Sequence, residues 1–408
     1  MNVHARLADL ATLGATGDGI DRALFTPPEY AARRRFADWA EAAGLSVEQD
    51  RVGNVFARLI GGADAPPIQC GSHLDTVKGG GAYDGAFGVI GGLEALERIA
   101  AGGDALRRPL EVVAWAGEEA SRFPLGCLGS SAFARLTPYP QIGALIADDD
   151  GESFADALDG PSGLLDGVRL RDDFPAPAAY IELHIEQGPL LERAAARLGV
   201  VTAIAGQRRL RVEIVGRAGH AGTIPMDGRA DALCAASEIV LAVERAAHDV
   251  GESVATVGWL DVAPNQTNIV PGRVVLRVDA RSVDDERVAE IERCVRAAGA
   301  QIAAVRGTPI GVQLIELRAA APMDARMRAI VRRACERFVP EPLELPSGAG
   351  HDAMCLAQIV PTAMLFVPSI GGHSHVAAEK TAPQDLELGV EARAAALAAA
   401  DHELPLER

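Results

Sequence analysis

The stretch Gly71-Ser72-His73-Leu74-Asp75-Thr76-Val77, with Gly79-Gly80-Gly81 and Asp84-Gly85 after it, decides how the chain is interpreted. It follows an apolar run at 67–70 that is typical of the end of a buried strand, and a helical pattern begins near Ala86. Loops at strand C-termini are where α/β proteins build their sites. His73 and Asp84 suit a borderline metal such as zinc, and Asp75 could hold the His73 ring through its other nitrogen. The loop alone also fits a purely structural role, so further ligands have to come from elsewhere in the chain.

The composition is that of an ordinary globular protein of 408 residues, 49% of them hydrophobic, which is enough for two domains. The net charge of −17 argues against binding to nucleic acid or to an anionic membrane. No apolar run reaches the ~18 residues that span a bilayer, and no signal peptide is recognisable, so we expect a cytoplasmic protein. The six cysteines contain no CxxC pair and are predicted to be free thiols.

The middle of the chain has a pattern of its own. Strand-like and helix-like segments follow each other there in the order β-α-β-β-α-β, which is typical of a ferredoxin-like unit, at 209–215, 229–249, 253–262, 273–281, 284–304 and 311–317. After Pro322 the pattern of the first part resumes. We therefore predict a split catalytic domain, 1–205 with 319–408, that carries an inserted domain at 206–318.

Polar residues collect where the strands of the split domain are predicted to end. Alternation in 179–188 places His184 on a polar face, and an apolar strand near Phe366 runs into His373 and His375. The candidates are His73, Asp75, Asp84, Glu118, Glu119, His184 and His375. Such residues could hold two cations ~3.5–4 Å apart that share one carboxylate. Hydrolysis would also need a base that is not a ligand, so the adjacent glutamates divide naturally into base and ligand.

These candidate residues and the motifs around them resemble a known family, the M20-type di-metal amidohydrolases. The specific branch is that of the N-carbamoyl-L-amino acid hydrolases and allantoate amidohydrolases. The motifs that carry the resemblance span almost the whole chain: 71–77, Asp84-Gly85-x-x-Gly88-Val89, Glu118-Glu119 with Arg122-Phe123, Glu182-Leu183-His184-Ile185-Glu186-Gln187-Gly188-Pro189, Gly219-His220-Ala221-Gly222-Thr223, Pro264-Asn265-x-x-Asn268, Asp279-x-Arg281, Ser347-Gly348-Ala349-Gly350-His351-Asp352-Ala353 and Ser374-His375.

The resemblance implies an α/β fold: a mixed-sheet, zinc-peptidase-like catalytic domain with an inserted ferredoxin-like α+β domain for dimerisation and as a lid. It implies two divalent ions per subunit, zinc, manganese, cobalt or nickel. His73, Asp84 and His184 would bind one ion, and Asp84, Glu119 and His375 the other. Glu118 would act as general base towards a hydroxide that bridges the ions, and Asp75 would orient His73.

The resemblance also implies how a small substrate with a carboxylate is held in a homodimer. Asn268 and Arg281 would bind the carboxylate, and His220 would reach a neighbouring active site to stabilise the oxyanion. Gln207, Gly350 and His351 would line the pocket. The implied reaction is hydrolysis of a non-peptide C–N bond in a linear amide or amidine, with an N-carbamoyl-L-amino acid or an allantoate-like compound as substrate. An M20-type aminoacylase or dipeptidase is the alternative, and a non-catalytic binding protein is a third.

Several residues keep a second interpretation. Asp75 could cap a turn, and His220 could be an ordinary loop histidine. Arg281 could belong to a surface row of ion pairs with Arg277 and Asp279. His373 is a candidate ligand or a residue at the mouth of the site. The acidic triplet at 148–150 is interpreted as a solvated turn.

Overall fold

The computed structural model describes residues 2–103, 105–172 and 175–406. The chain forms two compact units: a split unit, Met1–Thr202 with Pro322–Arg408, and an inserted unit, Ala203–Ala321. The assignment of catalysis to 1–205 with 319–408, and of lid and dimer contacts to 206–318, stays a prediction.

The elements follow the chain in three groups. Up to the first junction they are α1 Val3–Leu10, β1 Ala15–Thr16, β2 Gly19–Ile20, α2 Pro27–Ala42, β3 Ser46–Gln49, β4 Val55–Leu59, β5 Ile68–His73, α3 Ala86–Gly102, β6 Leu110–Trp115, α4 Leu128–Phe133, α5 Tyr139–Gly143, α6 Phe154–Asp159, β7 Arg169–Leu170, β8 Ala179–Ile185, α7 Leu190–Arg193 and β9 Gly199–Ile204. The inserted unit contains β10 Gly206–Val215, β11 Gly219–His220, α8 Ala232–Val250, β12 Val254–Ala263, β13 Ile269–Val270, β14 Arg273–Ser282, α9 Asp285–Arg306 and β15 Ile310–Arg318. The last group is β16 Ala321–Pro322, α10 Ala325–Glu336, β17 Leu343–Ser347, α11 Asp352–Leu356, β18 Thr362–Val367, a 3₁₀ turn Ile370–Gly372 and α12 Pro383–Glu403.

A mixed sheet of ten strands forms the centre of the split unit. Its order is β16-β9-β18-β8-β5-β6-β4-β3-β7, with β17 beside β9. The four strands β18, β8, β5 and β6 are parallel to their neighbours within this group, so their C-terminal ends share one edge. All residues of these four strands are buried, which parallel strands covered on both faces require. The predicted α/β class with a mixed sheet is confirmed.

Helix α3 lies against the sheet because its near face is made of glycines. A Cβ atom at Gly88 would lie 2.5 Å from Cβ of Ser72 and 2.7 Å from the carbonyl oxygen of Leu183. Only glycine permits this approach of the helix to β5 and β8. The helix is bounded by Gly85 (φ +61°) and Gly103 (φ +75°), two left-handed positions. The start of α3 is thereby fixed directly after Asp84.

The inserted unit has the predicted ferredoxin-like architecture. Its four-stranded sheet has the order β12-β14-β10-β15, and every neighbouring pair is antiparallel. Helices α8 and α9 pack their apolar residues against one face, where Leu210, Val212 and Ile214 of β10 are buried, as the period-two pattern predicts.

Two further expectations concern the whole chain. None of the six cysteines is in a disulfide, as predicted. None of the described helices is at once long and apolar enough to cross a lipid bilayer.

Candidate metal centre

The candidate residues lie at the shared edge of four parallel strands. β5 ends at His73 and leads to Asp75 and Asp84, while β6 leads to Glu118 and Glu119. β8 carries His184 near its end, and β18 leads to His375. Because parallel strands place their C-termini on one side of a sheet, segments far apart in sequence converge there.

Asp84 lies at the centre, and its two oxygens face different histidines. Oδ1 is 3.2 Å from Nε2 of His184 and 3.6 Å from Nε2 of His73. Oδ2 is 3.2 Å from Nε2 of His375. Nε2 of His375 is in turn 3.4 Å from Oε1 of Glu119. This is the arrangement expected of a carboxylate that bridges two cations.

The tautomers of two histidines fit metal binding. Nδ1 of His73 is 2.9 Å from the carbonyl oxygen of Asp75, and Nδ1 of His184 is 2.9 Å from the carbonyl oxygen of Ile185. A carbonyl can only accept, so each Nδ1 carries a proton, and Nε2, which faces Asp84, is the nitrogen that would bind a cation. Imidazole nitrogens and carboxylate oxygens suit zinc and similar divalent ions. The residues present therefore fit a pair of such cations.

Asp75 binds the two glutamates rather than the ring of His73. Its Oδ1 accepts the Glu118 N–H and its Oδ2 the Glu119 N–H, each at 3.2 Å. Oδ1 is 3.7 Å from Nδ1 of His73, so the Asp75 carbonyl is the nearer partner of that ring. Asp75 thus fixes the turn that presents both glutamates, and its orienting role towards His73 stays a proposal.

Ligand atoms of histidines and carboxylates lie within 4.8 Å of one another in four groups of described residues: His73, Asp84 and His184; Asp84, Glu119 and His375; His73, Glu118 and Glu119; and Glu182, His184 and His351. The first two are the ligand sets that the resemblance implies. In the fourth, Glu182 already accepts hydrogen bonds from Ser72 and from the Ala353 N–H, both at 2.8 Å. The carboxylate of this group is therefore already engaged in buried hydrogen bonds behind the site.

Burial and crowding of charge shift the titration of the acidic groups. Burial raises the pKa of Glu118, although the neighbouring His73 opposes the shift. Burial, then the charges of Asp84 and Glu118, hold the pKa of Glu119 well above its usual range. Burial acts on Asp84 too, but hydrogen bonds to three histidines outweigh it and hold its pKa well below the usual range. Ionisation is thus favoured for Asp84 and disfavoured for Glu118 and Glu119, and added positive charge would favour it for all three carboxylates.

The inserted unit groups the predicted substrate residues in two pairs. Gln207 and Arg281 are register partners on β10 and β14, and both contact Asp279: Nε2 of Gln207 at 2.5 Å and Nε of Arg281 at 2.8 Å. His220 and Asn268 are neighbours at the β11–β13 ladder, where the Ala221 N–H donates to the Asn268 carbonyl. The ion pair of Arg281 with Asp279 is present, so its binding of a substrate carboxylate stays a proposal.

The remaining candidates lie in the split unit. A Cβ atom at Gly350 would be 3.9 Å from Oε1 of Glu118, so the turn that contains Gly350 borders the Glu118 side chain. His351 is buried, its ring is 4.5 Å from that of His184, and its Nε2 is 2.8 Å from the hydroxyl oxygen of Ser347. His373 is exposed and belongs to none of the ligand groups found among the described residues.

Three residues next to the site have no role in the sequence prediction. Nε2 of Gln187 is 2.9 Å from Oδ2 of Asp84, and Gln187 has a left-handed backbone (φ +59°) that a sequence pattern does not reveal. Sγ of Cys127 donates to Oε1 of Glu118 at 3.2 Å. Glu379 contacts the Asp84 loop, and its only signal in the sequence is its position four residues after His375.

Comparison with known proteins gives consistent similarity over nearly the full length. A sequence profile of peptidase family M20/M25/M40 matches residues 70–399. The N-carbamoyl-L-amino-acid amidohydrolase of Paenarthrobacter aurescens is 38% identical over 395 residues, which is 95% of either chain. The allantoate amidohydrolase of Escherichia coli K12 is 36% identical over 394 residues, again 95% of either chain. A crystal structure of a hydantoinase/carbamoylase family amidase from Burkholderia multivorans superimposes with a TM-score of 0.90 at 37% identity, covering 99% of this chain and 98% of that one.

Proposed function

The chain belongs to peptidase family M20/M25/M40, and we propose that it is a two-ion amidohydrolase that cleaves a linear C–N bond of a ureido acid. An N-carbamoyl-L-amino acid or an allantoate-like compound is the proposed substrate class. The observation that carries the proposal is the central carboxylate of Asp84, whose two oxygens face two separate ligand groups. The similarity to relatives named for carbamoyl amino acids and allantoate supports the substrate class.

His73, Asp84 and His184 would hold one ion, and Asp84, Glu119 and His375 the other. When bound, such ions supply Lewis acidity towards a carbonyl oxygen and lower the pKa of water. The ligand types leave zinc, manganese, cobalt and nickel as candidates, because geometry and supply choose between similar divalent ions.

Glu118 is the proposed general base. Its Oε2 is 3.9 Å from Nε2 of His73, so the side chain borders the ligands without being needed by either set. Its buried position and raised pKa suit a group that takes a proton from water and returns it to the leaving nitrogen. Asp75 fixes the backbone on which Glu118 and Glu119 are presented, and thereby keeps base and ligand apart.

The inserted unit would recognise the substrate. Arg281 and Asn268 would bind its carboxylate, with Gln207 beside Arg281, and Gly350 and His351 would line the pocket in the split unit. His220 would stabilise the oxyanion in the site of the other subunit of a homodimer. The residues of the inserted unit that carry this proposal come in the pairs Gln207–Arg281 and His220–Asn268. A cytoplasmic location remains a prediction from the sequence.

A hydrolysis screen with defined metals tests the function. Protein freed of metal by a chelator should be inactive and should recover with Mn²⁺, Co²⁺, Ni²⁺ or Zn²⁺. The reconstituted protein should hydrolyse at least one of N-carbamoyl-L-amino acids, allantoate and 3-ureidopropionate. Faster turnover of acyl-amino acids or dipeptides would instead indicate an aminoacylase or dipeptidase. Full activity after thorough metal removal would refute the two-ion chemistry.

A further inference from the structure

Glu379 connects two loops that are nearly 300 residues apart in sequence. Its Oε1 accepts the N–H groups of Tyr83 and Asp84 at 2.9 and 3.0 Å, and its Oε2 accepts the hydroxyl of Ser374 at 2.7 Å. Glu379 as a whole residue is 5% exposed. One buried side chain thus joins the loop of the central carboxylate to the loop that carries His375.

The absence of a side chain at Gly81, in the glycine run 79–81, makes this connection possible. A Cβ atom at Gly81 would lie 2.2 Å from Oε1 of Glu379 and 2.5 Å from its Cβ. A side chain at Gly81 would therefore expel the carboxylate from its place against the loop. Gly81, the last glycine of this run, thus leaves the space that Glu379 occupies.

The contact between Glu379 and Ser374 affects His375, a proposed ligand that is only weakly held by packing. His375 has a left-handed backbone (φ +60°), which is costly for a residue with a side chain, and its side chain is about half exposed. The hydroxyl of Ser374, the residue before it, lies 3.2 Å from Oδ2 of Asp84 as well as against Glu379. Packing does not fix His375, so the neighbouring hydrogen bonds have to.

We propose that Glu379 is a positioning residue that sets the spacing of Asp84 and His375 and thereby the affinity of the second ion. The inference rests on the proposed two-ion function. Binding of the first ion should depend less on Glu379. Its proposed ligands His73 and His184 lie on strands and are fixed by hydrogen bonds to the carbonyl groups of Asp75 and Ile185.

Two substitutions of Glu379 separate the hydrogen bonds from the charge. Glu379→Ala removes all three contacts. Glu379→Gln retains one oxygen for the two N–H groups, and its NH₂ can donate to Ser374. In Glu379→Ala the second ion should bind about 10- to 100-fold more weakly, which is typical for loss of a residue that holds metal ligands. Glu379→Gln should restore most of that affinity, which a purely structural defect would not show.

Asp401→Ala is the matched control. Asp401 is also a buried carboxylate that accepts two successive backbone N–H groups, those of Arg107 and Arg108, at 2.7 and 3.0 Å. These residues precede β6, at the end of the sheet away from the metal centre. Asp401→Ala should lower the unfolding midpoint by about as much as Glu379→Ala, but it should leave the affinities for both ions unchanged.

The measurement is a titration of metal-free, full-length protein with Co²⁺, followed by visible absorption, with metal content determined after equilibrium dialysis. A selective loss of the second ion in Glu379→Ala, with recovery in Glu379→Gln, supports the proposal. Wild-type affinity for the second ion in Glu379→Ala overturns it, as does an equal loss of both ions.

If Glu379→Ala does not fold, Ser374→Ala removes the contact to Oε2 of Glu379 together with the hydroxyl's contacts to Asp84 and Gln187. It should still weaken binding of the second ion, whereas unchanged binding overturns the proposal. If the wild-type protein binds two ions but hydrolyses none of the screened compounds, the proposed function is refuted. The role of Glu379 is then still decided by the Co²⁺ titration of its variants. A wild-type protein that binds no ions would refute both.

Discussion

Replacing Gly85 with alanine should damage the metal centre through a single methyl group. Gly85 has φ +61°, and a Cβ atom built there would lie 2.4 Å from Nε2 of His73. The left-handed backbone costs about 1–2 kcal/mol for alanine. Forcing the methyl group against the ring adds about 1–3 kcal/mol, the range for overpacking. We therefore expect Gly85→Ala to lose about 2–5 kcal/mol of unfolding free energy, as the sum of these two effects.

Gly103→Ala at the other end of α3 is the matched control. Gly103 is also left-handed (φ +75°), and no described atom lies within 4 Å of the Cβ position. Gly103 has ψ +2°, in the left-handed helical region, whereas Gly85 has ψ −50°, which alanine adopts less readily. Gly103→Ala should therefore have no greater backbone cost and no clash, so Gly85→Ala should be the less stable variant by at least about 1–3 kcal/mol in urea unfolding. The displaced atom, Nε2 of His73, is a proposed ligand of the first ion. Gly85→Ala should therefore also lower the affinity for that ion about tenfold or more in a Co²⁺ titration. Equal stabilities together with wild-type metal binding would refute the reasoning.

The remaining predictions concern the base, the substrate and a buried acid. Glu118→Gln should keep both ions in metal analysis but lower turnover about 100- to 10,000-fold, and normal turnover would exclude Glu118 as base. Arg281→Lys should raise KM about tenfold for ureido acids but not for analogues that lack the carboxylate, because the two-pronged contact is lost; an equal change for both compounds would contradict that role. Burial raises the pKa of Asp50 to about 6, against ~3.9 in an unfolded chain. The folded protein then keeps this proton to higher pH, so stability should fall by ~3 kcal/mol as pH rises from ~4 to ~6. Asp50→Asn should flatten that slope in urea titrations, and an unchanged slope would contradict the assignment.

The fold could be predicted from the sequence because periodicity and glycine positions are local signals. The pattern at Arg209–Val215 indicates a strand with one buried face, and the helical pattern that begins near Ala86 indicates α3. The convergence of His73 and His184 follows from their positions at the ends of parallel strands.

The details of the site depend on contacts that no local pattern encodes. The sequence places Asp75 next to His73, but it does not reveal that the carbonyl contacts the ring while the carboxylate binds the Glu118 and Glu119 N–H groups. Glu379 reaches the Asp84 loop only through the tertiary fold, since neither period nor spacing relates the two. Hydrogen bonds between distant loops depend on how the loops pack in the tertiary structure, and local sequence patterns do not predict that packing.

The position of β18 in the sheet has a consequence for biosynthesis. This strand is synthesised long after β8 and β9, yet it pairs with β8 on one side and with β9 on the other. A nascent chain that stops short of Thr362 therefore exposes two unpaired strand edges in the middle of the sheet, a situation that invites aggregation. The sheet can therefore close only after β18 has been synthesised, and truncation of the chain before Thr362 should yield an aggregation-prone product rather than a folded protein with a local defect.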